Sequence, residues 1–173
     1  KAELLLAAAK AYDEEIEVVL QAEQLGTGHA VAQAKESLQG FDGDVIVLYG
    51  DTPFISEETL LALRAARERS DVVVLGFNAA NPAKYGRLIT NGNQLERIVE
   101  FKDANDEERA ISLCNSGVMC ASVLDILSLV DALSNDNAAG EYYLTDVVEL
   151  AKNNGKSASV VICDEAETLG VDS

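Results

Sequence analysis

The chain is short of basic residues. Its 173 residues include 13 Lys and Arg against 30 Asp and Glu, which gives a formal net charge of −17. Nucleic-acid binding needs a basic face that releases counterions from phosphates, and binding to anionic membranes needs a polybasic patch. The composition therefore argues against nucleic acid and membrane as partners. No apolar run approaches the roughly 20 residues that span a bilayer, and no segment resembles a secretory signal.

Cysteine and histidine are also scarce. Cys114, Cys120 and Cys163 are widely spaced and include no CxxC pair, which argues against a zinc or redox site. We expect them to be reduced thiols in a cytoplasmic protein. His29 is the single histidine, so a catalytic triad or a histidine-rich metal site would have to use it. A metal ion would more naturally be a hard cation held by carboxylates, which are abundant.

The chain does have enough apolar residues for a core, with 48% hydrophobic and 25% charged residues. Short β-branched runs alternate with helical patterns, which predicts an α/β fold with a mostly parallel mixed sheet, helices on both faces and an inserted β-hairpin. The predicted strands are 16–20, 45–48, 72–77, 112–121 and 159–163, with the hairpin within 85–100. The predicted helices are 3–12, 29–38, 57–69 after an N-cap at Ser56, 123–133 after an N-cap at Ser122 and 146–153 after an N-cap at Thr145, with 103–110 helix-compatible.

Two loops follow predicted strands and are candidate binding loops, because ligands of open α/β sheets bind beyond the carboxyl ends of the strands. The first is 21–28, where Gly26 and Gly28 allow close approach of the backbone to a ligand. Gln21 and Thr27 offer an amide and an alcohol to the polar edge of a base or sugar. A helix cap with a glycine turn is the alternative interpretation of this loop.

The second loop is Tyr49–Pro53, after the strand 45–48. The carboxylate of Asp51 is well placed there to hold Mg²⁺ against a substrate phosphate. The alternative is an aspartate that accepts hydrogen bonds in a tight turn. Further polar groups stand at strand or helix ends in segments 85–87, 100–102, 115–117 and 141–146.

These segments occur in an order that resembles a known family. The ordered motifs are QAEQLGTGHA (21–30), LYGDTPFIS (48–56), YGRL (85–88), IVEFKDA (98–104), NSGV (115–118), AGEYYLTD (139–146) and LGVDS (169–173). Together they resemble the uridylyltransferase (pyrophosphorylase) domain of the bacterial bifunctional N-acetylglucosamine-1-phosphate uridylyltransferase and glucosamine-1-phosphate N-acetyltransferase family. The resemblance implies a Rossmann-like nucleotidyltransferase fold and the transfer of UMP from UTP to N-acetylglucosamine-1-phosphate. The products would be UDP-N-acetylglucosamine and pyrophosphate, for peptidoglycan and lipopolysaccharide precursors.

The resemblance also implies residue roles. The uracil contacts would be Gln21, Gly26 and Thr27, and the nucleotide would be lined by Tyr49, Gly50 and Asp51. The N-acetylglucosamine contacts would be Gly86, Glu100, Asn115 and Thr145. Mg²⁺ would be held by Asp51 and by Asp172, which stands where the family has an asparagine.

The chain departs from the family at its front. The family begins with a strand and a glycine-rich loop, L-A-A-G-x-G-T-R-M, followed by a lysine that counters phosphate charge, and residues 1–173 contain neither. We therefore expect 1–173 to be a partial nucleotidyltransferase domain without the first βα unit or the C-terminal left-handed β-helix domain. Such a chain would turn over weakly alone, and no catalytic residue is assigned in it. Arg87 and Lys102 are the candidates for local positive charge.

Two alternatives stay open on the sequence alone. One is another sugar-1-phosphate nucleotidyltransferase, such as a thymidylyl or guanylyl enzyme. The other is a non-catalytic module of the same fold that binds nucleotide sugars. The resemblance further implies a homotrimeric parent protein, assembled through the β-helix domain.

Overall fold

The computed structural model describes residues 2–171, which fold into six α-helices and six strands around one sheet. The helices are α1 (Ala2–Tyr12), α2 (Thr27–Ala32), α3 (Glu57–Arg67), α4 (Asp106–Arg109), α5 (Val123–Asp131) and α6 (Val147–Asn153). The strands are β1 (Asp44–Val47), β2 (Val72–Asn78), β3 (Arg87–Asn91), β4 (Gln94–Val99), β5 (Leu113–Ser122) and β6 (Ala158–Cys163). Short 3₁₀ turns at Leu144–Asp146 and Glu165–Thr168 complete the described elements.

The sheet runs β4-β3-β5-β2-β6, and β1 also pairs with β5. Ala121 of β5 pairs with Val45 of β1 and with Val72 of β2, so β1 and β2 lie on opposite edges of β5. Farther along, Cys114 pairs with β2 and with Arg87 of β3. One edge of β5 is therefore shared by β1 and β3. The stretch 116–118 between those pairings leaves a gap at that edge of the sheet.

Helices cover both faces of the sheet, as predicted. Successive side chains of a strand point to opposite faces, so Val72 and Val74 pack with α5 and α6 in the larger core cluster. Val73 and Leu75 face the other way, with Leu63 of α3. These core side chains are almost fully buried.

Side-chain caps fix where two of these helices begin. Ser56 accepts a hydrogen bond from the Thr59 N–H at the start of α3, and Ser122 accepts one from the Asp125 N–H at the start of α5. Each cap satisfies an N–H group that has no partner within the helix. Both helices were predicted to begin after a serine, and both expectations are confirmed.

The α/β class and the mixed sheet are confirmed, but the expectation of mostly parallel pairing is wrong for the described residues. Only β2 and β6 pair in parallel, and the other four pairings are antiparallel. The reason is that β5 is antiparallel to β1, β2 and β3 and lies between β2 and the other two. Strands that were expected to be parallel neighbours are therefore not adjacent. β1 is accordingly only partly buried.

Three predicted elements differ in extent. Residues 16–20 form no strand, because no described segment pairs with them, and Val18, Val19 and Leu20 are exposed. The helix expected over 29–38 ends at Ala32 and continues as turns with hydrogen bonds between residues three apart. The helix expected to follow an N-cap at Thr145 begins at Val147, because Thr145 lies within a 3₁₀ turn.

The described cysteines are free thiols, as predicted. Cys114 and Cys120 are buried, and burial raises the pKa of Cys120 to about 11. Within residues 2–171, the structure contains no helix that is both long and apolar enough to cross a membrane.

Candidate functional site

The site cavity, of about 450 Å³, opens over the gap along β5 where the pairing changes from β1 to β3. It is built from seven parts of the chain that are distant in sequence but meet at one edge of the sheet. Its lining residues are Thr27, Tyr49, Asp51, Thr52, Lys84, Tyr85, Gly86, Glu100, Asn115, Ser116, Gly117, Glu141, Tyr143, Thr168 and Gly170.

The Tyr49 side chain closes the gap along β5. Gly117 has φ 89°, a backbone conformation that favours glycine. A Cβ at Gly117 would lie 2.4 Å from a ring carbon of Tyr49, so the ring lies directly on the backbone of β5. Burial raises the pKa of the Tyr49 hydroxyl, partly offset by a hydrogen bond with Thr27, while the carboxylates of Glu100 and Asp51 raise it further. The tyrosine is therefore a neutral, fixed wall of the cavity.

The glycine-bearing loop is pinned to segment 141–146. Tyr142 donates its N–H to Leu25 O at 2.8 Å and accepts at its own O from the Gly28 N–H, also at 2.8 Å. A Cβ on Gly26, at φ 112°, would lie 2.6 Å from Tyr142 O, so only glycine fits this contact. The Thr27 hydroxyl accepts from the Leu144 N–H at 3.0 Å. The loop and the segment therefore form one hydrogen-bonded unit.

The opposite wall of the cavity contains Gly86, Glu100 and Asn115. Asn115 donates its N–H to Gly86 O at 2.9 Å, and its Oδ1 accepts from the Gly117 N–H at 3.1 Å. Thr145 lies behind this wall and donates its hydroxyl to Glu100 Oε1 at 3.0 Å. The remaining carboxylate oxygen of Glu100 and the amide nitrogen of Asn115 form no hydrogen bond with the described residues, which leaves an acceptor and a donor for hydroxyl groups of a ligand.

Acidic groups cluster behind the same wall. Burial raises the pKa of Glu100, the hydrogen bond from Thr145 lowers it, and the Asp103 carboxylate raises it. Burial also raises the pKa of Asp146 to about 6, with further contributions from Glu149, Glu100 and Asp103. Repulsion between these carboxylates contributes to the raised pKa values, so acidic groups are concentrated behind this wall of the cavity.

The final turn of the described chain is tied to the loop that carries Asp51. Glu167 accepts from the Ser56 N–H at 2.8 Å and from the Thr59 hydroxyl at 3.1 Å, which fastens the turn to the N-terminus of α3. Val171 donates its N–H to Asp51 O at 2.9 Å. The final turn is therefore attached to the Asp51 backbone through Val171. Asp172, which was predicted to bind metal, lies outside the described residues.

The structure brings most of the predicted site residues together. The predicted residues that line the cavity are Thr27, Tyr49, Asp51, Gly86, Glu100 and Asn115. Four others do not line it. Gln21 and Gly26 lie in the loop behind Thr27, Gly50 faces open space, and Thr145 is buried with its hydroxyl on Glu100.

The sequence interpretation missed the cation of the site. Lys84 is the one lysine or arginine that lines the cavity in residues 2–171, whereas Lys102 is exposed in a turn elsewhere. The expectation for Arg87 is wrong, because it is buried and its guanidinium donates to the carbonyls of Tyr85, Ala83 and Arg109. Lys84 directly precedes Tyr85 and Gly86, which the sequence already marked as a candidate site segment, and this position was the signal that could have identified it.

Tyr143 and Glu141 also line the cavity and were not assigned a role. They belong to the quoted motif AGEYYLTD, from which only Thr145 was selected. Thr168 and Gly170 line the cavity from the final turn. No pattern in the sequence predicts that this turn packs against the loop Tyr49–Pro53 after β1, since that contact depends on the tertiary packing.

Comparison with curated proteins gives long matches at high identity. Over 170 residues the chain is 64% identical to "Bifunctional protein GlmU" of Cereibacter sphaeroides, a match that covers 98% of this chain and 37% of that protein. It is 60% identical over 173 residues to the protein of the same description from a Ruegeria species, covering all of this chain and 38% of that protein. The chain thus spans little more than a third of the length of these relatives.

Solved structures show the same fold at low sequence identity. A nucleoside-diphosphate-sugar pyrophosphorylase from Vibrio cholerae superposes with a TM-score of 0.70 at 18% identity, covering 95% of this chain and 70% of that one. A UDP-glucose pyrophosphorylase complexed with UDP-glucose gives a TM-score of 0.64 at 20% identity, covering 91% and 63%. The sequence profile of the family described as "Nucleotidyl transferase" matches residues 2–167. This chain therefore belongs to the nucleotidyl transferase family.

Proposed function

We propose that this chain forms the nucleotide-sugar site of a uridylyltransferase that makes UDP-N-acetylglucosamine and pyrophosphate from UTP and N-acetylglucosamine-1-phosphate. The observation that supports this most is the site cavity itself, where the loop of Tyr49 and Asp51 meets the polar wall of Gly86, Glu100 and Asn115. The 64% identity to a protein described as bifunctional GlmU supports the same activity.

The two walls of the cavity suit the two halves of such a product. The glycine-bearing loop offers Thr27 and close backbone approach to a uridine, next to the aromatic ring of Tyr49. The wall of Glu100 and Asn115 offers an acceptor and a donor for sugar hydroxyls and an acetamido group. Lys84 adds a positive charge that suits a phosphate in a cavity otherwise lined by Asp51, Glu100 and Glu141.

The chemistry of the donor set fits Mg²⁺. Among residues 2–171 no three His, Cys, Asp or Glu side chains form a metal-binding group. Mg²⁺ does not need one, since it usually keeps several waters and binds one or two carboxylates together with substrate phosphates. Asp51 would be one ligand, and the family resemblance implies Asp172 as the second. The hydrogen bond from the Val171 N–H to Asp51 O joins the described end of the final turn to the Asp51 loop. When bound, the ion would neutralise phosphate charge.

In the proposed reaction, an oxygen of the sugar 1-phosphate attacks the α-phosphorus of UTP. One P–O bond forms in line as the bond to pyrophosphate breaks. Such a transfer depends on positioning and on charge neutralisation more than on covalent help from the protein. The residues of this chain would hold the uridine at Thr27 and Tyr49 and the sugar at Glu100 and Asn115, so that the two phosphates meet beside Asp51.

The experiment is release of pyrophosphate from UTP plus N-acetylglucosamine-1-phosphate with Mg²⁺, with dTTP and GTP as competing triphosphates. We expect UTP to be preferred, and slow turnover by residues 1–173 alone. Equal use of dTTP or GTP would favour the other sugar nucleotidyltransferases. Binding of UDP-N-acetylglucosamine without any pyrophosphate release would favour the non-catalytic module.

The metal assignment is tested by Asp51→Ala, with Asp42→Ala as the matched control because Asp42 is exposed and lies outside the cavity. We expect Asp51→Ala to abolish the Mg²⁺ dependence of UDP-N-acetylglucosamine binding and Asp42→Ala to keep it. Calorimetric titration with and without Mg²⁺ measures this directly. An unchanged Mg²⁺ dependence in Asp51→Ala would remove Asp51 from the metal site.

The wider setting of the proposal follows from the same family. UDP-N-acetylglucosamine made in the cytoplasm would supply peptidoglycan and lipopolysaccharide precursors and so cell shape. A homotrimeric parent protein would be expected where the chain is part of a longer polypeptide, and the 37% coverage of the Cereibacter relative is compatible with that.

A further inference from the structure

The buried guanidinium of Arg87 holds the backbone on both sides of Lys84. Arg87 is only 1% exposed. Its Nη2 donates to Ala83 O at 3.2 Å and its Nη1 donates to Tyr85 O, which are the carbonyls of the residues directly before and after Lys84. Nη2 also donates to Arg109 O at 3.2 Å. Every acceptor that the described residues provide for this guanidinium is a backbone carbonyl, and no carboxylate among them pairs with it. The side chain of Arg87 therefore fixes the turn that carries Lys84.

The backbone of this turn has an unusual shape. Ala83 has φ 39°, and it is the one non-glycine residue with a positive φ in the part of the chain that the structure describes. Its N–H donates to Asn81 Oδ1 at 3.2 Å, and the Tyr85 N–H donates to Pro82 O at 3.1 Å. The Tyr85 ring packs edge-on against Phe77, with the ring centroids 5.0 Å apart. A strained backbone persists only where its surroundings hold it, so these contacts fix the direction in which the side chain between Ala83 and Tyr85 leaves the turn.

That side chain, Lys84, lines the site cavity. It has no ion-pair partner among the described residues. The cavity is otherwise lined by the carboxylates of Asp51, Glu100 and Glu141. These carboxylates repel an entering phosphate, and an ammonium group beside them offsets part of that repulsion. The charge of Lys84 is therefore available to an anion that a ligand brings into the cavity.

The place of Lys84 in the chain indicates which phosphate it would meet. Gly86, two residues further on, belongs to the wall that offers an acceptor and a donor to sugar hydroxyls. A Cβ on Gly86 would lie 3.5 Å from Glu100 Oε1 and 3.6 Å from Asn115 Cβ. The turn of Lys84 is thus continuous with the sugar wall, whereas the loop of Thr27 forms a separate part of the lining. A phosphate attached to the sugar is the anion nearest to this turn.

We propose that Lys84 binds the phosphate of the sugar 1-phosphate, and that Arg87 is the positioning residue that keeps the Lys84 ammonium group in the cavity. This inference rests on the proposed uridylyl function and assigns the anionic group of one substrate to one side chain. A sugar phosphate carries negative charge and the free sugar carries none. Lys84 therefore discriminates the phosphorylated sugar from the free sugar.

The affinities of the ¹⁵N-labelled 173-residue chain, measured from amide shifts in titrations without Mg²⁺, test the role of Lys84. Lys84→Met removes the ammonium group and keeps an unbranched side chain. Lys102→Met is the matched control, because Lys102 is also exposed but does not line the cavity. We expect the affinity for N-acetylglucosamine-1-phosphate to fall about tenfold in Lys84→Met, the value of one hydrogen bond to a charged group. It should be kept in Lys102→Met and in Lys84→Arg, which retains the charge.

Comparison ligands show what Lys84 recognises. Lys84→Met should bind N-acetylglucosamine, N-acetylglucosamine-6-phosphate and UMP with unchanged affinity. Unchanged affinity of Lys84→Met for the 1-phosphate would overturn the proposal. An equal loss for UMP or for the 6-phosphate would also overturn it, because Lys84 would then attract phosphates in general. A wild-type chain that binds UDP-N-acetylglucosamine but does not prefer the 1-phosphate to the free sugar would overturn this inference alone. A wild-type chain that does not bind UDP-N-acetylglucosamine would contradict the proposed function.

A double-mutant comparison tests the positioning role of Arg87. Arg87→Lys keeps the charge but loses the planar fork of donors that reaches the carbonyls of Ala83 and Tyr85. Alone it should lower the affinity for the 1-phosphate about tenfold and leave the affinity for free N-acetylglucosamine unchanged. Combined with Lys84→Met it should cause no further loss, because Arg87 acts through Lys84. Additive losses, or an equal loss for the free sugar, would contradict the positioning role.

A change at the exposed surface of the turn tests the same point without altering the core. Proline holds φ near about −65°, so Ala83→Pro cannot keep the φ of 39° that this turn has. We expect Ala83→Pro to lose affinity for the 1-phosphate about as much as Lys84→Met does, and to keep its affinity for free N-acetylglucosamine. Unchanged affinity for the 1-phosphate in Ala83→Pro would show that the turn does not position Lys84.

Discussion

Gly117→Ala should damage both the stability of the chain and its ligand site. The backbone at this residue has φ 89°, which costs an alanine about 1 kcal/mol. Its Cβ would also lie 2.4, 2.8 and 2.9 Å from three ring carbons of Tyr49. Moving the ring aside adds about 2 kcal/mol, as in other overpacked sites. The total of about 3 kcal/mol lowers the melting temperature by about 6–12 °C for a chain of this size.

Gly155→Ala separates the two costs. Gly155 has a similar φ of 76° but nothing lies within 4 Å of an added Cβ. Only the backbone cost of about 1 kcal/mol applies, so the melting temperature should fall by about 2–4 °C. Calorimetric melting and titration with UDP-N-acetylglucosamine measure both effects. We expect ligand affinity to be lost only in Gly117→Ala. Equal melting shifts and equal affinities in the two variants would refute the packing of Tyr49 on Gly117.

Three further changes have distinct expected outcomes. Glu167→Gln should cost about 1 kcal/mol in urea unfolding, because it weakens two hydrogen bonds that fasten the final turn to α3; no loss relative to Glu36→Gln at an exposed site would contradict this. Tyr49→Phe should keep ligand affinity in calorimetric titration, because the ring that packs on Gly117 stays; a loss of about tenfold would contradict that. Burial raises the pKa of Asp146 from 3.8 to about 6, so the folded chain holds this proton more tightly and stability falls as the pH rises between those values. Asp146→Asn should therefore stabilise the chain at pH 7 by about 1 kcal/mol after solvent screening, with no gain at pH 4, and urea titrations at both pH values check this.

The sequence predicts local structure where local rules decide it. The serine caps at Ser56 and Ser122 and the hairpin around Gly92 appear in the structure because capping and turn chemistry act over a few residues. Residues 16–20 fail as a strand for the opposite reason. Their β-branched composition favours a strand, but a strand needs a neighbour, and no described segment supplies one.

The site was predictable where a motif ends a strand, as at Tyr49 and Asp51. It was less predictable where a side chain can point either into the cavity or into the protein interior. Arg87 and Lys84 are three residues apart, and their charge is the same. The guanidinium of Arg87 is turned to backbone carbonyls, whereas Lys84 lines the cavity. The Thr145 hydroxyl likewise donates a hydrogen bond to Glu100 from behind the wall and does not line the cavity. Such choices depend on three-dimensional packing.

The site cavity is proposed to bind a uridine nucleotide sugar. An NMR titration of the ¹⁵N-labelled chain with UDP-N-acetylglucosamine and Mg²⁺ tests this binding. We expect saturable shifts that are largest for the amides of Gly86, Asn115 and Gly117. The absence of saturable shifts, or shifts confined to the separate groove beside Asp44 and Arg64, would contradict it.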